Sequence, residues 1–114
     1  MSADSAAETL LRQAFLRAGL PEPAANQPLV VDGVNLGDPD LHWKQFGVCV
    51  EYDGYTHLTP EQQHLDIRRG DRRRDHGVEE VRVVFEDVRG GYDLAVPRVR
   101  RRLLERGWNG SMSG

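Results

Sequence analysis

A short apolar segment that carries two acids on one side constrains this chain most. Residues Val48–Asp53 read Val-Cys-Val-Glu-Tyr-Asp, a composition typical of a buried β-strand. Since strand side chains alternate between two faces, Cys49, Glu51 and Asp53 share one face. Two carboxylates on a buried face repel each other and lose hydration, so a cation or charged partner is expected beside them. Another acid, Asp40, lies 11 residues before Glu51 on a segment expected to pair with this strand.

The size and composition of the chain favour one globular domain. It has 114 residues, of which 39% are hydrophobic and 29% charged. No apolar run approaches the roughly 20 residues of a membrane span, and no secretory signal is predicted at the amino terminus. The single cysteine excludes an internal disulfide. We expect a cytoplasmic protein with no membrane partner, one domain at residues 1–108 and a flexible tail at 109–114.

The charges divide unevenly along the chain, although the net charge is only −3. Residues 1–66 hold 3 basic and 10 acidic side chains, whereas residues 67–114 hold 12 basic and 8 acidic ones. All but one of the basic residues are arginine, which suits bidentate phosphate contacts. A phosphate-bearing partner and the simple solvation of helix faces both explain this preference.

Local signals predict seven elements in the order α-β-β-β-α-β-α. Helices that flank strands on so short a chain favour an α/β protein, a three-layer α/β/α sandwich with a small mixed sheet. Thr59, Pro60 and Gln62 supply a capping box and a proline at the first helical position, and Asp32-Gly33 marks a hairpin turn. The predicted segments are a helix from Ser5 to Gly19, a linker at 22–27, strands at 29–31, 37–43 and 48–53, a helix from 60 to about 76, a strand at 81–85 and a helix from about 93 to 106.

The first and last predicted helices each carry an apolar stripe. Glu8 admits two roles on the first one. It is the third residue after Ser5, which completes a capping box, and it also shares the stripe of Leu11 and Phe15, which would point it toward a site. The core candidates of the last helix are Val96, Val99, Leu103 and Leu104.

The helix that follows Thr59 carries a cluster of arginines and few apolar residues. Asp71 and Asp75 interleave with these arginines, so intrahelical salt bridges and phosphate contacts are both consistent with the pattern. The candidates for nucleic-acid contacts are Arg68, Arg69, Arg72 and Arg73.

Taken in order, these segments resemble the PD-(D/E)XK nuclease superfamily. The motifs are Pro39-Asp40, the run Val50–Gly54 followed by His57, Asp66-Ile67 with Arg69, and Val81–Val83. Within it, the chain is most similar to a small, largely actinobacterial endonuclease-like family related to very-short-patch-repair endonucleases, over about residues 5–106. The resemblance implies a restriction-endonuclease-like fold and a metal-dependent hydrolase, an endonuclease that nicks or cleaves DNA.

The resemblance also implies roles for single residues. Asp40 and Glu51 would bind Mg²⁺ or Mn²⁺, with the backbone carbonyl of Tyr52 as a third ligand. Glu8 would be an accessory acid at this site, and His57, Asp66 and Arg69 would line it or hold the residues that do.

Two departures from the family pattern keep a second function open. Asp53 stands where the wider superfamily has a catalytic lysine. The group that activates water could therefore be Asp53, His57 or metal-bound hydroxide alone. Arg73 stands where the family has an apolar residue. The alternative is a catalytically weak or inactive nuclease-fold module that binds nucleic acid or serves as an accessory or toxin-type domain. DNA is the expected partner, RNA stays open, and a homodimer or a fused or partner protein would extend so small a footprint.

Overall fold

The structure, a computed structural model, describes residues 5–54 and 59–111, and its α-helices and strands follow the order α-β-β-β-β-β-α-β-α-α. Two single-turn 3-10 helices are also present: Lys44–Phe46 precedes the strand Val48–Gly54, and Tyr92–Ala95 precedes the last helix. The helices are α1 (Ser5–Arg17), α2 (Pro60–Asp75), α3 (Phe85–Val88) and α4 (Val96–Glu105), and the strands are β1 (Ala24–Ala25), β2 (Val30–Val31), β3 (Val34–Asn35), β4 (Leu41–Trp43), β5 (Val48–Gly54) and β6 (Glu79–Val84).

Four of the strands form a mixed sheet in the order β1-β4-β5-β6. Strand β5 pairs antiparallel with β4 and parallel with β6. The parallel pair requires a crossover, which α2 provides. The predicted α/β class with a small mixed sheet is therefore confirmed. No helix in the described residues is both long enough and apolar enough to cross a membrane.

One face of the sheet is apolar and is covered by α1 and α4. Trp43 of β4 is buried beside Phe15 of α1, and its indole Nε1 donates a hydrogen bond to the carbonyl of Pro21 at 2.7 Å. The alternation along β5 produces this face, since Val48 and Val50 point into it. The other large contributors are Leu11, Leu41, Val81, Val83, Val96, Val99, Leu103 and Trp108.

The opposite face carries a smaller apolar cluster and most of the polar residues of the sheet. Cys49 of β5 packs there with Leu29, Leu36 and Val78. Strands β2 and β3 form the hairpin beside this cluster, and Asp32 and Gly33 at its tip have φ values of 51° and 78°. Two successive positive φ angles are those of a type I′ turn, so the predicted hairpin is confirmed.

The first strand of the sheet differs from the prediction. Ala24–Ala25 lies in the predicted linker at 22–27 but pairs antiparallel with Leu41 and His42 as β1. The predicted strand at 29–31 belongs to the separate hairpin instead. The predicted strand at 37–43 shortens to Leu41–Trp43. Alanine has little intrinsic preference for strands, so the pairing of Ala24–Ala25 with β4, and not its own sequence, makes this segment a strand.

The carboxyl-terminal third differs in three details. Phe85 was predicted to end a strand but begins α3, where the carboxylate of Asp87 accepts the Val84 N–H at 2.8 Å. Leu104 is 46% exposed rather than part of the core, and Trp108 is buried in its place. The structure describes residues 109–111 of the predicted tail, and the carbonyl of Ser111 accepts a hydrogen bond from the Trp108 indole. Residues 112–114 lie outside the described part.

Two glycines with positive φ provide a matched test of the turn that leads into β5. At Gly47 (φ 65°) an added Cβ would lie 2.7 Å from the Gly77 carbonyl oxygen, whereas at Gly33 (φ 78°) it would meet nothing within 4 Å. We expect Gly33→Ala to lower the free energy of unfolding by about 1–2 kcal/mol, the cost of the backbone conformation alone. Gly47→Ala should cost at least about 3 kcal/mol because the backbone must also shift. Urea denaturation measures both, and equal losses would contradict the assigned turn.

Candidate functional site

The pairing of β4 with β5 brings Asp40 beside Glu51. Leu41 lies opposite Val50 in the antiparallel register, so the residue before β4 falls opposite Glu51. The Oδ2 atom of Asp40 accepts the backbone N–H of Tyr52 at 2.7 Å. The carboxylate thus occupies a position where the ladder would continue and is fixed at the end of β4.

Glu8 of α1 reaches the same place. It is 5% exposed, and its Oε2 accepts a hydrogen bond from Asn26 Nδ2 at 2.9 Å. A side-chain hydrogen bond with Glu8 is one of the causes that raise the pKa of Asp40, and two carboxyl groups can share such a bond only when one of them is protonated. The Oε1 atom of Glu8 is buried and has no hydrogen-bond partner among the described residues. Of the two roles predicted for Glu8, the structure therefore places the side chain inward.

The buried, acidic environment of Asp40 raises its pKa. Burial raises the pKa of Asp40 from 3.8 to about 7, and the hydrogen bond to Glu8 and the charge of Glu51 act in the same direction. The Tyr52 N–H opposes them by favouring the ionised form. Near neutral pH Asp40 therefore gains or loses a proton easily, and a cation can compete with that proton.

A buried arginine holds Glu51. Arg73 of α2 is fully buried, and its Nη1 lies 2.7 Å from Glu51 Oε2 and 3.0 Å from Glu80 Oε1. Its Nε donates to the Leu36 carbonyl at 2.9 Å. The prediction that Arg73 contacts nucleic acid is corrected by this placement, because its guanidinium faces carboxylates in the interior and is closed to a phosphate at the surface.

Asp53 is paired as well. Its Oδ2 lies 2.6 Å from Nη1 of Arg82 on the neighbouring strand β6. The same guanidinium contacts Glu80 at 2.6 Å and Asp66 of α2 at 2.7 Å. Opposite charges thus alternate across β5, β6 and α2, and the charge of Arg82 is shared among three carboxylates.

Sequence reasoning did not include Glu80, Arg82 and Asn26 in the site. The signal for the first two was present in the alternation of β6, where Glu80 and Arg82 are flanked by the buried residues Val81 and Val83. That pattern puts both charges on the face of Glu51 once the two strands are paired in parallel. Asn26 had no comparable signal, because its contact with Glu8 depends on the path of the chain before β2.

Three of the four predicted arginines lie on an open groove. Arg68, Arg69 and Arg72 are exposed on α2 and line a cavity of about 650 Å³ together with residues 35–37 and the acids Asp71 and Asp75. Arg69 is bound to Asp66 at 2.7 Å. Within the described part of the chain, Arg68 and Arg72 make no ion pair, so both are available to an external phosphate.

The thiol beneath the acids is inert. Cys49 is fully buried, and burial raises the pKa of its thiol to about 12 despite the nearby charge of Arg73. A buried thiol that stays protonated at neutral pH is not a nucleophile.

The residues present suit a hard divalent cation by donor type. Glu8, Asp40 and the second oxygen of Glu51 are carboxylate oxygens, and Oε1 of Glu8 lacks a donor. Over residues 5–54 and 59–111, no group of three or more His, Cys, Asp and Glu side chains is already arranged around a common point for a metal. A cation bound by these carboxylates would compete with the protonation of Asp40, whose pKa is raised to about 7. His57 lies outside the described residues.

Comparison with models of protein families, with curated proteins and with solved structures finds no match for this chain. The likeness to the nuclease superfamily therefore stays a resemblance carried by the sequence motifs.

The raised pKa of Asp40 predicts a pH-dependent stability. A carboxyl group whose pKa is higher in the folded than in the unfolded protein stabilises the fold at low pH, and this stabilisation is lost as the pH rises from about 4 to about 7. Asparagine keeps the acceptor for Tyr52 and stays neutral. We expect Asp40→Asn to be more stable than the wild type at pH 8, by roughly 1–3 kcal/mol, and nearly equal to it at pH 4.

Chemical denaturation at pH 4, 6 and 8 measures this difference. The matched control is Asp38→Asn, which removes an exposed acid two residues away and should leave the pH dependence unchanged. Parallel pH profiles for the wild type and Asp40→Asn would show that Asp40 titrates normally.

Proposed function

We propose that this protein is a metal-dependent endonuclease that hydrolyses phosphodiester bonds in DNA. The observation that carries the proposal is the acid group of Glu8, Asp40 and Glu51, in which one buried carboxylate oxygen is unsatisfied and one pKa is raised toward neutrality. Perturbed acids of this kind are typical of sites that bind cations or transfer protons. The exposed Arg68 and Arg72 on the nearby helix supply phosphate contacts.

The topology supports a restriction-endonuclease-like sandwich as part of this proposal. Three antiparallel strands, β1, β4 and β5, are followed by the crossover helix α2 and the parallel strand β6. Asp40 directly precedes β4, and the antiparallel register places it opposite Glu51 in the middle of β5. This agrees with the order and the motif positions that the resemblance implies.

The proposed metal is Mg²⁺ or Mn²⁺, held by Asp40, Glu8, the second oxygen of Glu51 and the carbonyl of Tyr52. When bound, such an ion activates water and offsets the negative charge that develops on the phosphate. The chain contributes the orientation of these ligands. The N–H of Tyr52 fixes Asp40, and the guanidinium of Arg73 fixes Glu51. Arg68 and Arg72 position the DNA backbone.

One observation favours the alternative, a nucleic-acid-binding module with little or no hydrolysis. Glu51 and Asp53 are both neutralised by arginines, and Asp53 would have to leave Arg82 before it could accept a proton from water. The proposed enzyme and this module share the groove of Arg68 and Arg72 and differ in whether cleavage follows binding.

Cleavage of supercoiled plasmid in Mg²⁺ or Mn²⁺ tests the enzyme directly. We expect nicked or linear product from the wild type, and a loss of about 100-fold or more with Asp40→Asn or Glu51→Gln, because each removes a charge that would hold the ion. Asp38→Asn is the control and should cleave like the wild type. Equal cleavage by Asp40→Asn and the wild type would contradict the proposed site. Binding without cleavage by the wild type would favour the module.

The salt dependence of DNA binding tests the groove. Each arginine that contacts a phosphate contributes about 1 to the slope of log K against log salt concentration. The double variant Arg68→Ala/Arg72→Ala should therefore bind more weakly at low salt, with a slope smaller by about 2. The control variant Arg74→Ala/Arg101→Ala removes two exposed arginines that do not line the groove. Equal slopes in both variants would indicate binding elsewhere.

A further inference from the structure

The guanidinium of Arg73 sits where two carboxylates converge. Its Nη1 contacts Oε2 of Glu51 at 2.7 Å and Oε1 of Glu80 at 3.0 Å, so the two oxygens are separated by no more than the sum of these distances. The two carboxylates share one cationic group, as the acids of a metal site share one metal ion. Arg82 also contacts Glu80, through Oε2 at 2.6 Å, but of these two arginines only Arg73 contacts both Glu51 and Glu80, and without its charge the facing oxygens would repel.

The surroundings fix this guanidinium in one orientation. Its Nε donates to the Leu36 carbonyl at 2.9 Å, and Sγ of Cys49 lies 3.8 Å from Nη1. Gly37 leaves room for it, because a Cβ at that position would approach Nη2 to 3.1 Å. Arg73 is therefore built into the interior between the hairpin, α2 and the sheet, and the fold provides a fitted place for one positive charge.

We propose that Arg73 is a resident cation of the acidic site. It occupies the inner oxygens of Glu51 and Glu80, excludes a metal ion from the space between them, and leaves divalent cations only the side of Glu8 and Asp40. The claim that Arg73 occupies the inner oxygens of Glu51 and Glu80 follows from the ion pairs alone, whereas the number of metal ions that the wild type binds rests on the proposed function. An arginine suits this role better than a lysine, since its guanidinium keeps its charge even when buried.

Replacing Arg73 by glutamine, which has N–H donors but no charge, tests the proposal. We would measure Mn²⁺ binding by titration calorimetry at pH 7.5 for the wild type, Arg73→Gln and Arg73→Lys, together with thermal unfolding with and without Mn²⁺. The expected result is one more equivalent of Mn²⁺ in Arg73→Gln than in the wild type, because Glu51 and Glu80 then need a cation. Arg73→Lys places an ammonium group beside Glu51 and Glu80, whose negative charges favour its protonated form, and it should bind no more Mn²⁺ than the wild type.

The outcomes separate this inference from the proposed function. If the wild type binds no Mn²⁺ and Arg73→Gln binds one ion, the resident cation is supported and the metal of the proposed function fails. If both bind one ion, the proposed metal stands and the resident cation is wrong. If neither binds Mn²⁺, both ideas fail.

Instability of the glutamine variant is itself informative. If Arg73→Gln folds only in the presence of Mn²⁺, the ion replaces the guanidinium and the inference is supported. If Arg73→Gln stays unfolded with Mn²⁺ while Arg73→Lys folds, a divalent ion does not take this place and the inference is overturned.

Discussion

The ion pairs of Arg73 with Glu51 and Glu80 are the interaction on which the arrangement of α2 depends. This helix turns no large apolar side chain toward the sheet, since Leu65 and Ile67 are 65% and 62% exposed. Removing one partner of a buried ion pair commonly costs about 3–5 kcal/mol, because the remaining charge is left without compensation. The crossover from β5 to β6 is therefore held by electrostatic contacts, and the same contacts orient an acid of the candidate site.

This dependence explains how β5 can carry acids on a covered face. Its other face, with Val48 and Val50, supplies the core, so the strand is buried whatever its acids do. The network then alternates in sign, from Glu51 to Arg73 and from Asp53 to Arg82, so that each desolvated charge has an opposite neighbour. Packing and the candidate site are thus built from one strand, and neither can change without the other.

Local patterns predicted the elements that depend on nearby residues. The capping box of Thr59 and Gln62, the Asp32-Gly33 turn and the strand through Glu51 are all found where the sequence indicated them. Features set by distant partners were missed or wrong. Periodicity could not reveal that Ala24–Ala25 would pair with β4, or that an arginine would be the buried residue of α2. The charge of a residue does not predict its exposure when oppositely charged partners on other elements can neutralise it in the interior, as Glu51 and Glu80 neutralise Arg73.

The acids of the site differ in how permanently they are neutralised, and this difference indicates where chemistry can occur. Glu51 and Asp53 are matched by guanidinium groups, which retain their charge at any physiological pH. Asp40 makes no ion pair among the described residues; it accepts the Tyr52 N–H, and its raised pKa of about 7 lets a proton leave near neutral pH. A metal ion can replace a proton far more easily than it can replace a buried arginine. Asp53, where the sequence departs from the pattern of the family it resembles, is therefore less open to a metal ion than Asp40.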